Sequence, residues 1–132
     1  PRIGYFSEVY DDGGAESGGP RHLALGYEQK RRGLMFVREL PEMTGMLFVY
    51  ARQQTLEFWM KDTRIPLALA FIDTYRSITE IHQLTPDMGE RRVVSAKPAR
   101  FALETNPGWF DTNQVSVGDR VEFHLPDDLL IE

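Results

Sequence analysis

Apolar and polar positions change their period several times along this chain, and each change marks an element. His22 to Gly26 suits a strand. Tyr27-Glu28-Gln29-Lys30-Arg31-Arg32 is a run of fair to good helix formers closed by Gly33, the residue best suited to the position after a helix. Lys30, Arg31 and Arg32 then fall in the last turn, where cations complement the helix dipole. Leu34-Met35-Phe36-Val37 is apolar without period and predicts an anchor into a core. Leu40-Pro41-Glu42 opens a loop that Gly45 closes, and Met46 to Tyr50 has the composition of a buried strand.

The middle of the chain is richer still in strand pattern. Leu56 to Lys61 reads as a strand, and Asp62-Thr63-Arg64-Ile65-Pro66 as the turn after it. Leu67 to Ile72 is apolar at every position, which predicts a strand covered on both faces. Asp73 to Arg76 turns the chain into a strand from Ser77 to Gln83. Residues 84–98 are a loop rich in Pro, Asp and Arg, and Arg100 to Thr105 is a further strand. Asn106-Pro107 predicts a helix start, with a cap residue followed by proline at the first helical position. Trp109 and Phe110 would pack that short helix onto a sheet. After a turn at Val117 to Arg120, the polar residues Arg120, Glu122 and His124 alternate with Val121, Phe123 and Leu125, a half-exposed strand. The fold class expected is mainly β, at the margin of α+β. It is a small barrel-like or rolled mixed sheet of about six to eight short strands with two short helices.

Residues 1–20 differ from the rest. Ile3, Tyr5 and Phe6 suit a short strand, whereas Asp11 to Pro20 is acidic, rich in glycine and has little to bury. The expected organisation is an N-terminal strand and acidic loop or tail at 1–20, and one β-rich domain at 21–132. The length of 132 residues agrees with a single domain. The chain starts at Pro1, as a processed or trimmed product would.

Composition narrows the function classes. A net charge of −5 argues against nucleic acid or an anionic membrane as the main partner, and no apolar run is long enough to span a bilayer. Cysteine is absent, which excludes disulfides, thiolate catalysis and cysteine-held metals. His22, His82 and His124 lack the spacing of a metal site, and Met35, Met46 and Met60 lie in apolar runs as core residues do. No metal and no cofactor is expected. No serine nucleophile elbow and no phosphate-cradling glycine loop occurs.

Several phrases together resemble a known family. They are Arg32-Gly33-Leu34-Met35-Phe36, Gly45-Met46-Leu47-Phe48, Phe58-Trp59-Met60-Lys61-Asp62-Thr63, Ile65-Pro66-Leu67, Ala70-Phe71-Ile72-Asp73, Leu103-Glu104 and Gly118-Asp119-Arg120-Val121. Their order and spacing over about residues 22–125 are similar to the family called domain of unknown function 192, from bacteria and archaea. The resemblance implies a small, mostly β domain and assigns no activity. It leans the expected location towards export (periplasmic or extracellular), with the cytoplasm also compatible. Two positions depart from the family pattern. Asp62 stands where the family usually has Asn, and Ala68 where it usually has Asp, so a carboxylate at that second position is not essential here.

Glu57-Phe58-Trp59-Met60-Lys61 carries the most chemistry. On a strand, Phe58 and Met60 face one way and Glu57, Trp59 and Lys61 the other. The second face suits a polar ligand that stacks on Trp59 and pairs with Lys61 and Glu57. It equally suits a cross-strand ion pair beside a packed tryptophan. Arg32 and Lys61, if close, would take an anionic group, although an arginine at a helix end also satisfies carbonyls. Asp73 and Glu104 are weak catalytic candidates as an acid–base pair, provided that the fold brings them together.

The leading expectation is thus a small binding or accessory domain rather than an enzyme. It would hold a small polar or anionic ligand, or a partner's segment, near Trp59, Lys61, Glu57 and Arg32. A hydrolase or lyase using Asp73 and Glu104 is the first alternative, and a purely structural interaction module the second. Oligomeric state is left open.

Overall fold

A strand that is apolar at every position needs a covering layer on each side, and Leu67–Ile72 finds both. The computed structural model describes residues 3–5, 21–42, 44–123, 125 and 131–132. Its strands are β1 Ile3–Tyr5, β2 Arg21–Ala24, β3 Gly45–Gln54, β4 Glu57–Phe58, β5 Leu67–Ile72, β6 Ile78–Leu84, β7 Val93–Val94, β8 Ala99–Thr105 and β9 Arg120–Glu122. Two short α-helices, α1 at Tyr27–Arg32 and α2 at Trp109–Thr112, and a 3-10 turn at Pro86–Met88 complete the described elements. The main sheet runs β2-β3-β8-β5-β6, parallel at β2–β3 and antiparallel elsewhere, so it is a mixed sheet. Two ribbons flank it: β1 with β9, parallel, and β4 with β7, antiparallel.

The period-2 alternation of β5 divides the core in two. Ala68, Ala70 and Ile72 join Leu47, Leu103, Phe101, Phe110 and Val121 on one face. Leu67, Leu69 and Phe71 join Met46, Phe48, Leu34, Phe58 and Met60 on the other. Helix α2 and strand β9 thus cover the first face, and residues 34–40 and 56–60 the second. All six β5 residues are buried, as a strand covered on both sides requires.

Strand β8 lies at the centre, bonded to β3 on one side and β5 on the other. Its pairing with β3 brings Gly45 so close that a Cβ there would sit 2.5 Å from the Glu104 carbonyl oxygen, so only glycine fits. Helix α1 ends at Gly33, whose φ of 49° and ψ of −126° suit glycine alone. That turn redirects the chain so that Leu34 and Met35 drop into the core directly after the basic last turn of the helix.

Several local expectations are corrected. The strand expected over Leu56 to Lys61 is confined to Glu57–Phe58, because its partner β7 is equally short. Beyond it the Met60 amide turns to donate to the Gly89 carbonyl at 2.9 Å. Asp62 then takes a positive φ of 55°, which Asp and Asn tolerate better than most residues. Phe36 does not anchor: it is 54% exposed at φ 64°, with the Arg64 guanidinium 5.5 Å from its ring centre. The Asn106 side chain does not cap α2. It donates to the Leu40 carbonyl at 2.7 Å instead, and the helix starts after Gly108, in a left-handed conformation. This bond ties the loop before β3 to the end of β8. Ile3–Tyr5 forms a strand, whereas Phe6, the acidic stretch Asp11 to Pro20 and His124 lie outside the described residues.

Candidate functional site

Helix α1 ends over the second face of the sheet, and a cleft of about 370 Å³ lies between it, β3 and the segment 57–63. The last turn of α1 supplies Lys30, Arg31 and Arg32 to its edge. Phe48 and Tyr50 come from β3, Glu57, Phe58 and Trp59 from β4 and its exit, and Thr63 from the turn that follows. Arg92 arrives from the residue before β7, and Glu104 from the central strand.

Each cation at this cleft has a different standing. Arg31 pairs with Glu28, one helical turn back, at 3.1 Å, with both partners largely exposed. Lys30 hydrogen-bonds the Glu132 carbonyl oxygen, and its Nζ lies 4.2 Å from the centre of the Tyr50 ring. Burial pulls the Lys30 ammonium down to about 8, against the nearby Glu132 charge, which raises it. Arg92 pairs with Glu57 at 3.5 Å and lies 4.7 Å from the centre of the Trp59 ring. That pair is half exposed on both sides, so it is worth about 1 kcal/mol or less, and a competing anion displaces it at small cost. The Arg32 carbonyl accepts from the Met35 amide at 2.9 Å, but the Arg32 guanidinium has no hydrogen bond or ion pair among the described residues.

Glu104 is the one acidic residue on β8, and the register explains its setting. It sits opposite Met46 of β3 and Leu69 of β5, both buried, and shares its side of the sheet with Ala102. Only 4% of Glu104 is exposed. No described residue hydrogen-bonds its carboxyl. Burial pushes that carboxyl up to about 8, so it keeps its proton at neutral pH. Tyr50 is also raised above the usual phenol range, first by burial and then by the proximity of Glu104.

The residues singled out from the sequence are therefore brought together in part. Arg32, Glu57 and Trp59 all line the cleft. Lys61 does not. It is exposed, and its Nζ lies 5.4 Å from the centre of the Trp59 ring, so Lys61 braces the tryptophan rather than joining Arg32. With Lys61 and Arg92 both over Trp59, the indole meets cations of the protein itself. The expected alternation does hold: Phe58 and Met60 are buried, Glu57 and Lys61 exposed.

Asp73 and Glu104 are not brought together. Glu104 faces Leu69, and Asp73 lies four residues further along the chain, just past the end of β5, on the order of 13 Å away at the rise of a strand. The Asp73 Oδ1 accepts from the Tyr75 and Ser77 amides at 2.9 and 3.0 Å, which is a turn-stabilising role. The acid–base pair is thus corrected by strand register. His82 Nε2 meets Glu80 Oε1 at 2.9 Å, and the other oxygen of Glu80 accepts from the Ala96 and Lys97 amides. Among the described residues no group of three or more candidate metal ligands comes together.

Lys30, Arg31, Tyr50, Thr63 and Arg92 also line the cleft and are not among the candidates read from the sequence. Lys30 and Arg31 carried a signal, being adjacent to Arg32 in the same helical turn. Tyr50, Thr63 and Arg92 carried none.

Two solved structures have the same fold. One is a candidate transcription regulator from Sinorhizobium meliloti 1021, at 35% identity over 76% of this chain and 78% of that one, with a TM-score of 0.72. The other is a protein of unknown function from Novosphingobium aromaticivorans DSM 12444, at 32% identity over 78% of this chain and 74% of that one, with a TM-score of 0.73. A comparison with curated proteins finds no match. The family model of DUF192, described as "Uncharacterized ACR", matches residues 21–123, the span that holds the five-stranded sheet and every residue of the cleft, and the chain belongs to that family.

Proposed function

We propose that this protein is a binding domain and that the cleft beside α1 takes a compact anionic ligand. The observation that carries this reading is Arg32, a guanidinium at a concave site with no partner among the described residues. The surrounding charge supports it. Four cations, Lys30, Arg31, Arg32 and Arg92, line the cleft in a chain whose net charge is −5. Of the two acids there, Glu104 is uncharged at neutral pH, and Glu57 is bound to Arg92. A local positive field in an acidic protein concentrates small anions at that place. An arginine fork holds a carboxylate or phosphate through two parallel hydrogen bonds. Phe48 and Phe58 provide apolar walls for the rest of the molecule.

Titration of the isotope-labelled protein with acetate and with inorganic phosphate, followed by amide and indole NMR shifts, tests the reading. Shifts should concentrate on Lys30 to Gly33 and on the Trp59 indole. Arg32→Ala should weaken the affinity about tenfold, the equivalent of roughly 1.4 kcal/mol for one charged contact. Shifts scattered over all surface cations, or an Arg32→Ala variant that titrates like the parent, would sink it.

A further inference from the structure

Glu104 asks for more than an anion site explains. A carboxyl this deep in a sheet face, between Met46 and Leu69, is costly unless something bonds it, and no described side chain or amide does. Yet it lines the cleft, so its free positions open onto the space where a ligand would lie. Tyr50 and Thr63 line the same space, and the Thr63 hydroxyl donates to the Lys61 carbonyl at 3.2 Å, which leaves it free only to accept. The cleft therefore has two chemically distinct parts. Its edge is cationic, at Arg32, Lys30 and Arg92. Its interior offers uncharged groups, among them the Glu104 carboxyl, which both donates and accepts.

Building on the anion-binding reading, we infer that the ligand is a hydroxylated anion, such as a sugar acid or a hydroxy acid. Its charged group lies against Arg32, and its hydroxyl bonds the carboxyl of Glu104. A hydroxyl matches because it too donates and accepts, so both hydrogen-bonding roles of a protonated carboxyl are satisfied together. A purely apolar tail would leave Glu104 unbonded. An ammonium group would suit an ionised Glu104, but it must pass Arg32, Lys30 and Arg92. Burial also keeps the Glu104 proton in place at neutral pH, and that disfavours the ionised form an ammonium needs. The volume of about 370 Å³ admits a single sugar ring or a smaller acid.

The test compares acids matched in size that differ in hydroxyl groups. D-glucuronate is set against cyclohexanecarboxylate, and D-glycerate against propionate, by calorimetric titration at neutral pH. In at least one pair, the hydroxylated acid should bind about tenfold tighter than its bare counterpart, the worth of one hydrogen bond to a buried group. Glu104→Leu should erase that preference, and Glu104→Gln, which keeps an uncharged donor and acceptor, should restore it. Arg32→Ala should weaken both members of the pair alike. Equal binding of hydroxylated and bare acids overturns this inference and leaves the anion reading standing. So does a preference that survives Glu104→Leu, or one that Glu104→Gln does not restore. If none of the four acids binds, both readings fall. Should Glu104→Leu not fold, the matched acids on the parent protein and on Glu104→Gln still decide the matter.

Discussion

Glu104 shows how one side chain links folding to pH. Its folded value lies near 8, above the ordinary 4.5 that it has in the unfolded chain. The unfolded state therefore gives up this proton first as pH rises. The stability that Glu104 contributes is full below about pH 4.5 and is lost progressively up to about pH 8. Lys30 acts in the next window and with the opposite sign. Its folded value is lowered to about 8 from 10.5, so its contribution grows as pH rises between these values. Glu80, which burial pushes up but which hydrogen bonds with His82 and the Ala96 and Lys97 amides together hold below its ordinary range, matters only at still lower pH. Glu104→Gln removes the loss between about 4.5 and 8. The variant and the parent should unfold at similar urea concentrations at pH 5. At pH 8 and above the variant should be the more stable, by about 4 to 5 kcal/mol. Parallel midpoints at both pH values would show that Glu104 is solvated in the folded protein.

At the scale of elements, α1 and the turn after it aim the cations. The helix has no buried residue of its own, so packing does not fix its orientation. At its start the Tyr27 amide donates to the Glu132 carboxylate, and at its end the turn at Gly33, where φ is positive, is followed by Leu34 and Met35 in the core. At Gly33 a Cβ would lie 3.5 Å from the Phe48 ring, an ordinary contact. The obstacle to substitution there is conformation, not space. Gly33→Ala is therefore expected to cost about 1 to 3 kcal/mol in thermal or urea unfolding, and to weaken anion binding as Arg32 is displaced. A variant with unchanged stability would mean that the turn relaxes freely. The bounds of α1 were legible in the sequence, because helix formers and the terminating glycine are adjacent residues. The strand at 56–61 was legible only as to which side chains face inward. Its length was set by β7, and nothing near Phe58 in the sequence announces that its partner is two residues long. The Asn106 cap failed for a similar reason. The side chain had a stronger claim on the Leu40 carbonyl, 66 residues away in sequence, than on a local amide.

On the scale of the whole molecule, the two faces of one sheet have different tasks. The face towards α2 and β9 is a continuous apolar cluster with no buried charge on its strands. The other carries the same kind of core but is interrupted at Glu104 and opened by the cleft. Central β8 is bonded on both sides and covered on both faces, so its amides open only with the main sheet. Those of the β4–β7 ribbon rest on one short ladder. Hydrogen exchange should accordingly be about a hundredfold slower or more at Phe101 to Leu103 than at Phe58 and Val94. Comparable rates would mean that cleft and sheet open as one unit.

Local pattern was enough to fix some features of this protein. The period of apolar residues assigned a mainly β chain and made Leu67–Ile72 a strand covered twice. Adjacent residues set the limits of α1, and the motifs of 32–73 and 103–121 gave the family. These rest on the preferences of neighbouring residues, which the chain carries with it before folding. The cleft rests on something else. Arg32, Trp59, Arg92 and Glu104 come from four separate stretches, and only the pairing of β3, β5 and β8 and of β4 with β7 brings them together. Register between distant strands is chosen by the summed packing of both faces, a quantity no local segment contains. The same register separated Asp73 from Glu104, and it left Glu104 between Met46 and Leu69. Tertiary burial, rather than the glutamate itself, decides that this carboxyl keeps its proton.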